Sequence, residues 1–131
     1  MEADAIVTLL RQRLPTLLAV HAFGSRVQGT AGPDSDLDLA VLVPGYADPV
    51  ALWSLASEVA DLAGCHVDLL DLRAASTVMQ HQVLTTGVAW WRRDDEVMMW
   101  EAAMLNEMLA LDEARAPLIA DILRRGRVYG E

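Results

Sequence analysis

Residues 24–38 read GSRVQGTAGPDSDLD and separate two apolar runs, LLAVHAF at 17–23 and LAVLV at 39–43. The density of Gly, Ser, Thr and Pro predicts a loop, with one helical turn over 25–29. The apolar runs are bounded by Pro15 and Gly24 on one side and by Pro44-Gly45 on the other. Both are too short for helices and read as strands, the second over Leu37–Val43. Within the stretch, Asp34, Asp36 and Asp38 fall at every second position. Asp34 follows Gly-Pro and belongs to ordinary turn chemistry, where an acid caps or is solvated. Asp36 and Asp38 instead lead straight into a strand. Its period of two aims both side chains at one face, about 6.5–7 Å apart along the chain. Two acids so placed repel each other unless a cation lies between them.

Two other uses of clustered Asp and Gly fail on spacing. A calcium loop starting at Asp34 needs Gly where Leu39 stands and a bidentate Glu where Gly45 stands. A P-loop needs Lys and then Ser or Thr after Gly29, where the chain has Thr30-Ala31. A two-metal phosphoryl-transfer site fits better: carboxylates converge on paired divalent ions, which are hard cations that prefer oxygen. A third acid is then expected from a neighbouring strand, and Asp68 sits in the middle of CHVDLL, 65–70. Gly24-Ser25 would supply backbone N–H groups and a hydroxyl where a triphosphate rests, Gly24 permitting close approach.

Outward from this stretch, Ile6, Leu9, Leu10 and Leu14 mark a helix over 2–14. Asp48-Pro49 is a helix start, and Gly64 ends that helix after Leu52, Leu55, Val59 and Leu62 have lined its inner face. A third strand follows at 65–70, then a helix over about 75–86 stopped by Gly87, and a short strand VAWWR at 88–92, whose alternation puts one tryptophan in the core and the other outside. From Glu96 a helix runs toward Arg115, and Pro117 kinks or restarts it through Leu123. The order α-β-β-α-β-α-β-α predicts one α/β (α+β) domain over 1–131, a short mixed sheet flanked by helices.

The formal charge of −9 argues against passive binding to nucleic acid, which draws its affinity from Lys and Arg. One cysteine, Cys65, allows no internal disulfide and suits a reducing cytoplasm; it reads as a buried small hydrophobe. No apolar run is long enough to span a bilayer.

Gly24-Ser25, a spacer of ten residues, Asp36-x-Asp38 and a later strand with Asp68 resemble the DNA polymerase β-type nucleotidyltransferase superfamily. Within it the chain is similar to the minimal nucleotidyltransferases, and among those to the MntA-like antitoxins of HEPN/MNT toxin–antitoxin pairs. The resemblance spans about residues 15–92. It implies that Asp36, Asp38 and Asp68 are catalytic and hold two Mg²⁺, and that Gly24, Ser25 and Arg26 bind the triphosphate of ATP. AMP would pass to a hydroxyl, typically of a tyrosine, on a HEPN-type RNase toxin and silence it. Many members carry a second basic residue in the GS loop, where this chain has Val27-Gln28. Nucleotidyl transfer to a small molecule such as an aminoglycoside is the first alternative, although those enzymes usually carry an extra helical domain. An antitoxin that neutralises only by binding is the second, and a plain interaction module with an incidental acidic turn the third.

Three features lie outside that motif. His21, His66 and His81 form no ligand set with Cys65; His66 shares the parity of Asp68 and could orient or perturb that acid, but a satisfied structural role is the expectation for it. Asp71, at the end of the third strand, is expected to cap the next helix rather than bind metal. Residues 97–109, VMMWEAAMLNEML, cover more than one helix face. Either they close the core, or the surplus Met, Leu and Trp make 96–125 a partner interface.

Overall fold

A computed structural model of the protein describes residues 3–29 and 35–107. Helix α1 (Ala3–Arg13) leads into β1 (Ala19–Phe23), and one short turn of helix, α2 (Ser25–Gln28), follows. Strand β2 (Leu37–Leu42), helix α3 (Pro49–Ala63), strand β3 (Val67–Asp71), helix α4 (Thr77–Thr86) and strand β4 (Val88–Arg92) come next. Residues 95–107 form the described part of a closing helix, α5. The remainder of the expected C-terminal helical segment, 108–125, and the turn acid Asp34 lie outside the described residues.

The strands form one mixed sheet in the order β3-β2-β1-β4. β1 pairs antiparallel with β2 and β4, and β2 pairs parallel with β3. The parallel pair needs a crossover, and α3 provides it. Asp48 caps α3 by accepting from Val50 N–H with Pro49 at the first helical position, and Gly64 closes it in the left-handed conformation. Ser76 caps α4 by accepting from Met79 N–H.

Strand alternation sorts the core into two layers. Val20, Ala22, Leu37, Leu39 and Val41 pack on one face against Ile6 and Leu10 of α1 and Leu52, Leu55 and Val59 of α3. Ala19, Phe23, Ala40 and Leu42 pack on the other with Val83 of α4 and Val97 of α5. Both faces of β1 and β2 are therefore covered, and these strands are nearly continuous apolar runs apart from the polar residues discussed below. Leu62, expected on the inner face of α3, is 47% exposed. It lies in the last turn, where Ala60 and Ala63 carry the packed face instead.

One further sequence expectation needs correction. Trp90 and Trp91 both pack against the first core layer. The register of β1 on β4 jumps from Val20↔Trp91 to His21↔Ala89, so Trp90 is an inserted residue and the in–out alternation breaks at a β-bulge. The guanidinium of Arg11 lies 4.7 Å over the Trp91 ring. His21 is buried and meets the buried Glu101 of α5 at 2.5 Å. Arg92 Nε donates to the other Glu101 oxygen at 2.9 Å, so one carboxylate ties α5 to β1 and β4.

Candidate active site

The end of β1 and the beginnings of β2 and β3 meet at one end of the sheet, because β1 is antiparallel to β2 and β2 is parallel to β3. In the register, Phe23 faces Asp38 and Asp38 faces Asp68. The Leu37 N–H donates to the His66 carbonyl at 2.9 Å, extending the ladder one step beyond β3. Strand β3 thus starts at Val67, two residues later than expected from sequence. Parity then places Asp36, Asp38, His66 and Asp68 on one face.

One ligand atom each from Asp36, His66 and Asp68 lies within 4.8 Å of the other two. Asp38 is coupled to the same group. Partial burial, the charges of Asp68 and Asp36 and a hydrogen bond shared with Asp68 push its carboxyl above the ordinary range, against a smaller opposing effect of His66. The Asp38 carboxyl is thus poorly served as a bare anion. That is the environment a bound dication relieves, and the oxygen-rich donor set suits a hard ion.

The first loop is built against this carboxylate. Gly24 has φ 82° and ψ −159°, and a Cβ on it would collide with Asp38 Oδ2. Only glycine brings the loop backbone this close in this conformation. Ser25 opens α2 at the same point. Arg26 donates from Nε and Nη2 to the Ser35 carbonyl at 3.0 and 2.7 Å. Those two donors join the two described sides of the loop.

His66 differs from its sequence expectation. It is an exposed side chain with Nδ1 3.4 Å from Asp36 Oδ2, not an internally satisfied one. The shared parity with Asp68 was visible in the sequence, but proximity to Asp36 required the register of β2 on β3. Asp71 also differs. Ser76, not Asp71, caps α4. Asp71 is buried, and its carboxylate accepts from Ala47 N–H at 2.8 Å and Arg73 N–H at 3.1 Å, fastening the β2–α3 loop to the turn after β3. It lies at the far end of β3 from Asp68 and takes no part in the acidic group.

Beside the acids, a groove of about 820 Å³ runs between α3 and the edge strand β3. Asp68 and His66 stand on its wall, and Tyr46 and Trp53 line it as well. Cys65, expected to be buried, is half-buried and packs on the first core layer.

A GS turn, two acids at the start of one strand and a third on its parallel neighbour are the geometry on which a family comparison turns. The model of the polymerase beta nucleotidyltransferase family matches residues 5–96. The chain belongs to that family. Among its relatives, the protein adenylyltransferase MntA of Shewanella oneidensis is 37% identical over 94% of this chain and 88% of its own length. A crystal structure of a toxin–antitoxin with AMP-PNP matches at a TM-score of 0.80 and 35% identity, covering 94% of this chain and 99% of the other. A tri-AMPylated Shewanella oneidensis HEPN toxin in complex with MNT antitoxin matches at a TM-score of 0.73 and 32% identity, covering 93% and 96%. Aminoglycoside (3'') (9) adenylyltransferases, including one from Klebsiella pneumoniae, are more distant: 26% identical over 92% of this chain but only 41% of theirs. The nucleotidyltransferase fold expected from the motif is the one observed, a mixed four-stranded sheet with helices on both faces. Among the described residues, no helix is long and apolar enough to cross a membrane.

Proposed function

We propose that this chain is an antitoxin nucleotidyltransferase of the cytoplasm that transfers AMP from ATP to a hydroxyl, of tyrosine by preference, on a partner HEPN-type toxin. The observation that carries the reading is the parallel register of Asp38 beside Asp68, with Asp36 within ligand distance and Gly24 against Asp38. The similarity to MntA, which extends over nearly the whole chain, supports the protein acceptor over a small molecule.

In this reading Asp36 and Asp38 would hold two Mg²⁺, with Asp68 as a further ligand on the acceptor side, and the ions would supply charge neutralisation for the triphosphate and for the developing charge on the leaving group. Backbone N–H groups around Gly24, the Ser25 hydroxyl and Nη1 of Arg26 hold the β- and γ-phosphates. The acceptor hydroxyl oxygen attacks the α-phosphorus in line; its bond forms as the bond to the bridging oxygen breaks, and pyrophosphate leaves. Asp68, on the groove side, receives the hydroxyl proton. The protein's contribution is chiefly position and preorganised charge. The exposed side chains of Met98 and Met99 on α5 add partner-contact surface within the proposed 96–125 interface.

The test is co-expression with a HEPN-type toxin partner, followed by intact-mass measurement of that toxin. AMP-sized increments that vanish with Asp36→Asn plus Asp38→Asn are expected. A toxin neutralised at unchanged mass would instead identify a purely binding antitoxin, and ATP-derived label on an aminoglycoside would identify a small-molecule enzyme.

A further inference from the structure

We propose that His66 contributes an imidazole nitrogen to the acceptor-side cation site, so that this centre favours a transition-metal dication such as Co²⁺ or Mn²⁺ over Mg²⁺. The inference rests on the site reading above and concerns a residue outside the acidic motif.

His66 Nδ1 lies 3.4 Å from Asp36 Oδ2, beyond the usual range of a strong N–H···O bond. Its mutual spacing with Asp36 and Asp68 is within 4.8 Å. Ligands about 2.1 Å from a common ion lie about 3.0 Å apart when adjacent and about 4.2 Å apart when opposite. The 3.4 Å separation of His66 and Asp36 falls between these values, and the separations to Asp68 are bounded at 4.8 Å, so side-chain rotation would bring the three donors to one ion. The backbone at this point is already fixed, because the Leu37 N–H holds the His66 carbonyl at 2.9 Å. The ring is exposed on the groove side of the sheet, open to an incoming ion.

The choice of residue has a chemical logic. A fourth carboxylate here would add negative charge beside Asp38, whose ionisation burial and the charges of Asp68 and Asp36 already disfavour. A neutral imidazole adds a ligand without that repulsion. Nitrogen donors also shift preference from Mg²⁺, which favours oxygen, toward later divalent metals.

The experiment uses the full chain without ATP or toxin. CoCl₂, MnCl₂ and MgCl₂ are titrated calorimetrically into the wild type, His66→Ala and His66→Gln, and the visible absorption of the Co²⁺ forms is recorded. Gln can still hydrogen-bond to Asp36 but supplies no imidazole, which separates ligation from mere positioning. Both variants are expected to lose at least about tenfold in Co²⁺ affinity, the lower end of what removing even an outer-shell partner produces. A smaller Mn²⁺ loss, a Mg²⁺ loss under about threefold and an altered Co²⁺ absorption should accompany it. Equal losses for all three metals, rescue by Gln, or an unchanged Co²⁺ spectrum would overturn the assignment. If AMP transfer proceeds in the wild type while these metal results fail, only the role of His66 falls. If the wild type binds none of the metals, the site reading falls with it.

Discussion

Replacing Asp68 by Asn should make the metal-free protein more stable while abolishing transfer. Asp36 and Asp68 bring ligand atoms within 4.8 Å, and Asp68 raises the Asp38 carboxyl pKa both by its charge and by a shared hydrogen bond. Two unit charges at that spacing repel by about 0.9 kcal/mol in water and about 3.5 kcal/mol at an effective dielectric of about 20. Asp68 is exposed, so screening favours the low end, and about 1 kcal/mol is expected. The Asn amide can also donate to Asp38, which no carboxylate can do when ionised. At about 2.1 cal/mol/K per residue, a chain of 131 residues has a melting entropy of about 0.28 kcal/mol/K, so the gain should be about 3–4 °C.

The pH dependence follows from the sign of the shift. Asp38 is raised in the folded state, so its favourable contribution is fully present below the ordinary value of 3.8. It is lost as pH rises through the folded value. In EDTA the melting advantage of Asp68→Asn should therefore be absent in acid and open up as pH climbs above that range. Magnesium should reverse the order: at 100 times its Kd a bound ion adds about 2.7 kcal/mol to the wild type, and the variant should gain far less. Differential scanning calorimetry in EDTA and in MgCl₂ reads both effects. A variant that melts below the wild type in EDTA at neutral pH, with an order that magnesium leaves unchanged, would refute the reasoning.

Gly24→Ala should destabilise the fold by about 1–3 kcal/mol and weaken ATP binding, because the new Cβ meets Asp38 Oδ2 in a conformation unsuited to L residues; urea melts and nucleotide titration check both. Asp71→Asn should lower stability through its bonds to Ala47 and Arg73, by about 1–3 kcal/mol, yet leave AMP transfer intact in the folded protein; loss of transfer without unfolding would return Asp71 to the site. Glu101→Ala should cost about 3 kcal/mol of unfolding free energy, read from denaturant melts, since it strands His21 and leaves Arg92 without its carboxylate. Burial opposes the ionised Glu101, but His21 and then Arg92 outweigh it and hold the carboxyl below its usual range. Its stabilisation is therefore present above the ordinary glutamate range and fades as pH falls through the depressed value, a slope the variant should lack. Met98→Glu with Met99→Glu should weaken toxin binding in a pull-down with little change in melting, because both side chains are exposed.

Much of the chain was legible because its signals are local. The Asp48-Pro49 start and Gly64 stop of α3 lie where capping chemistry requires them, and the apolar runs became β1 and β2. The acidic cluster was legible for a similar reason: a strand's period of two aligns Asp36 with Asp38 whatever the strand pairs with. Other assignments depended on partners distant in sequence. His66 looked like one more structural histidine until β3 paired parallel with β2, and Asp71 looked like a cap until the β2–α3 loop came to rest on it. A β-bulge at Trp90 undid the in–out expectation for the tryptophans. The His21–Glu101 pair joins residues 80 positions apart, beyond the reach of any local pattern.

By itself, then, the amino-acid order determined which segments are helix or strand, which face of β2 is acidic, and where the glycine turn must lie, because each follows from backbone geometry over a few consecutive residues. Only the tertiary structure decided which acids and which histidine come together. The register between strands is chosen by the burial of both sheet faces, and a shift of one residue would have turned Asp68 away from Asp38.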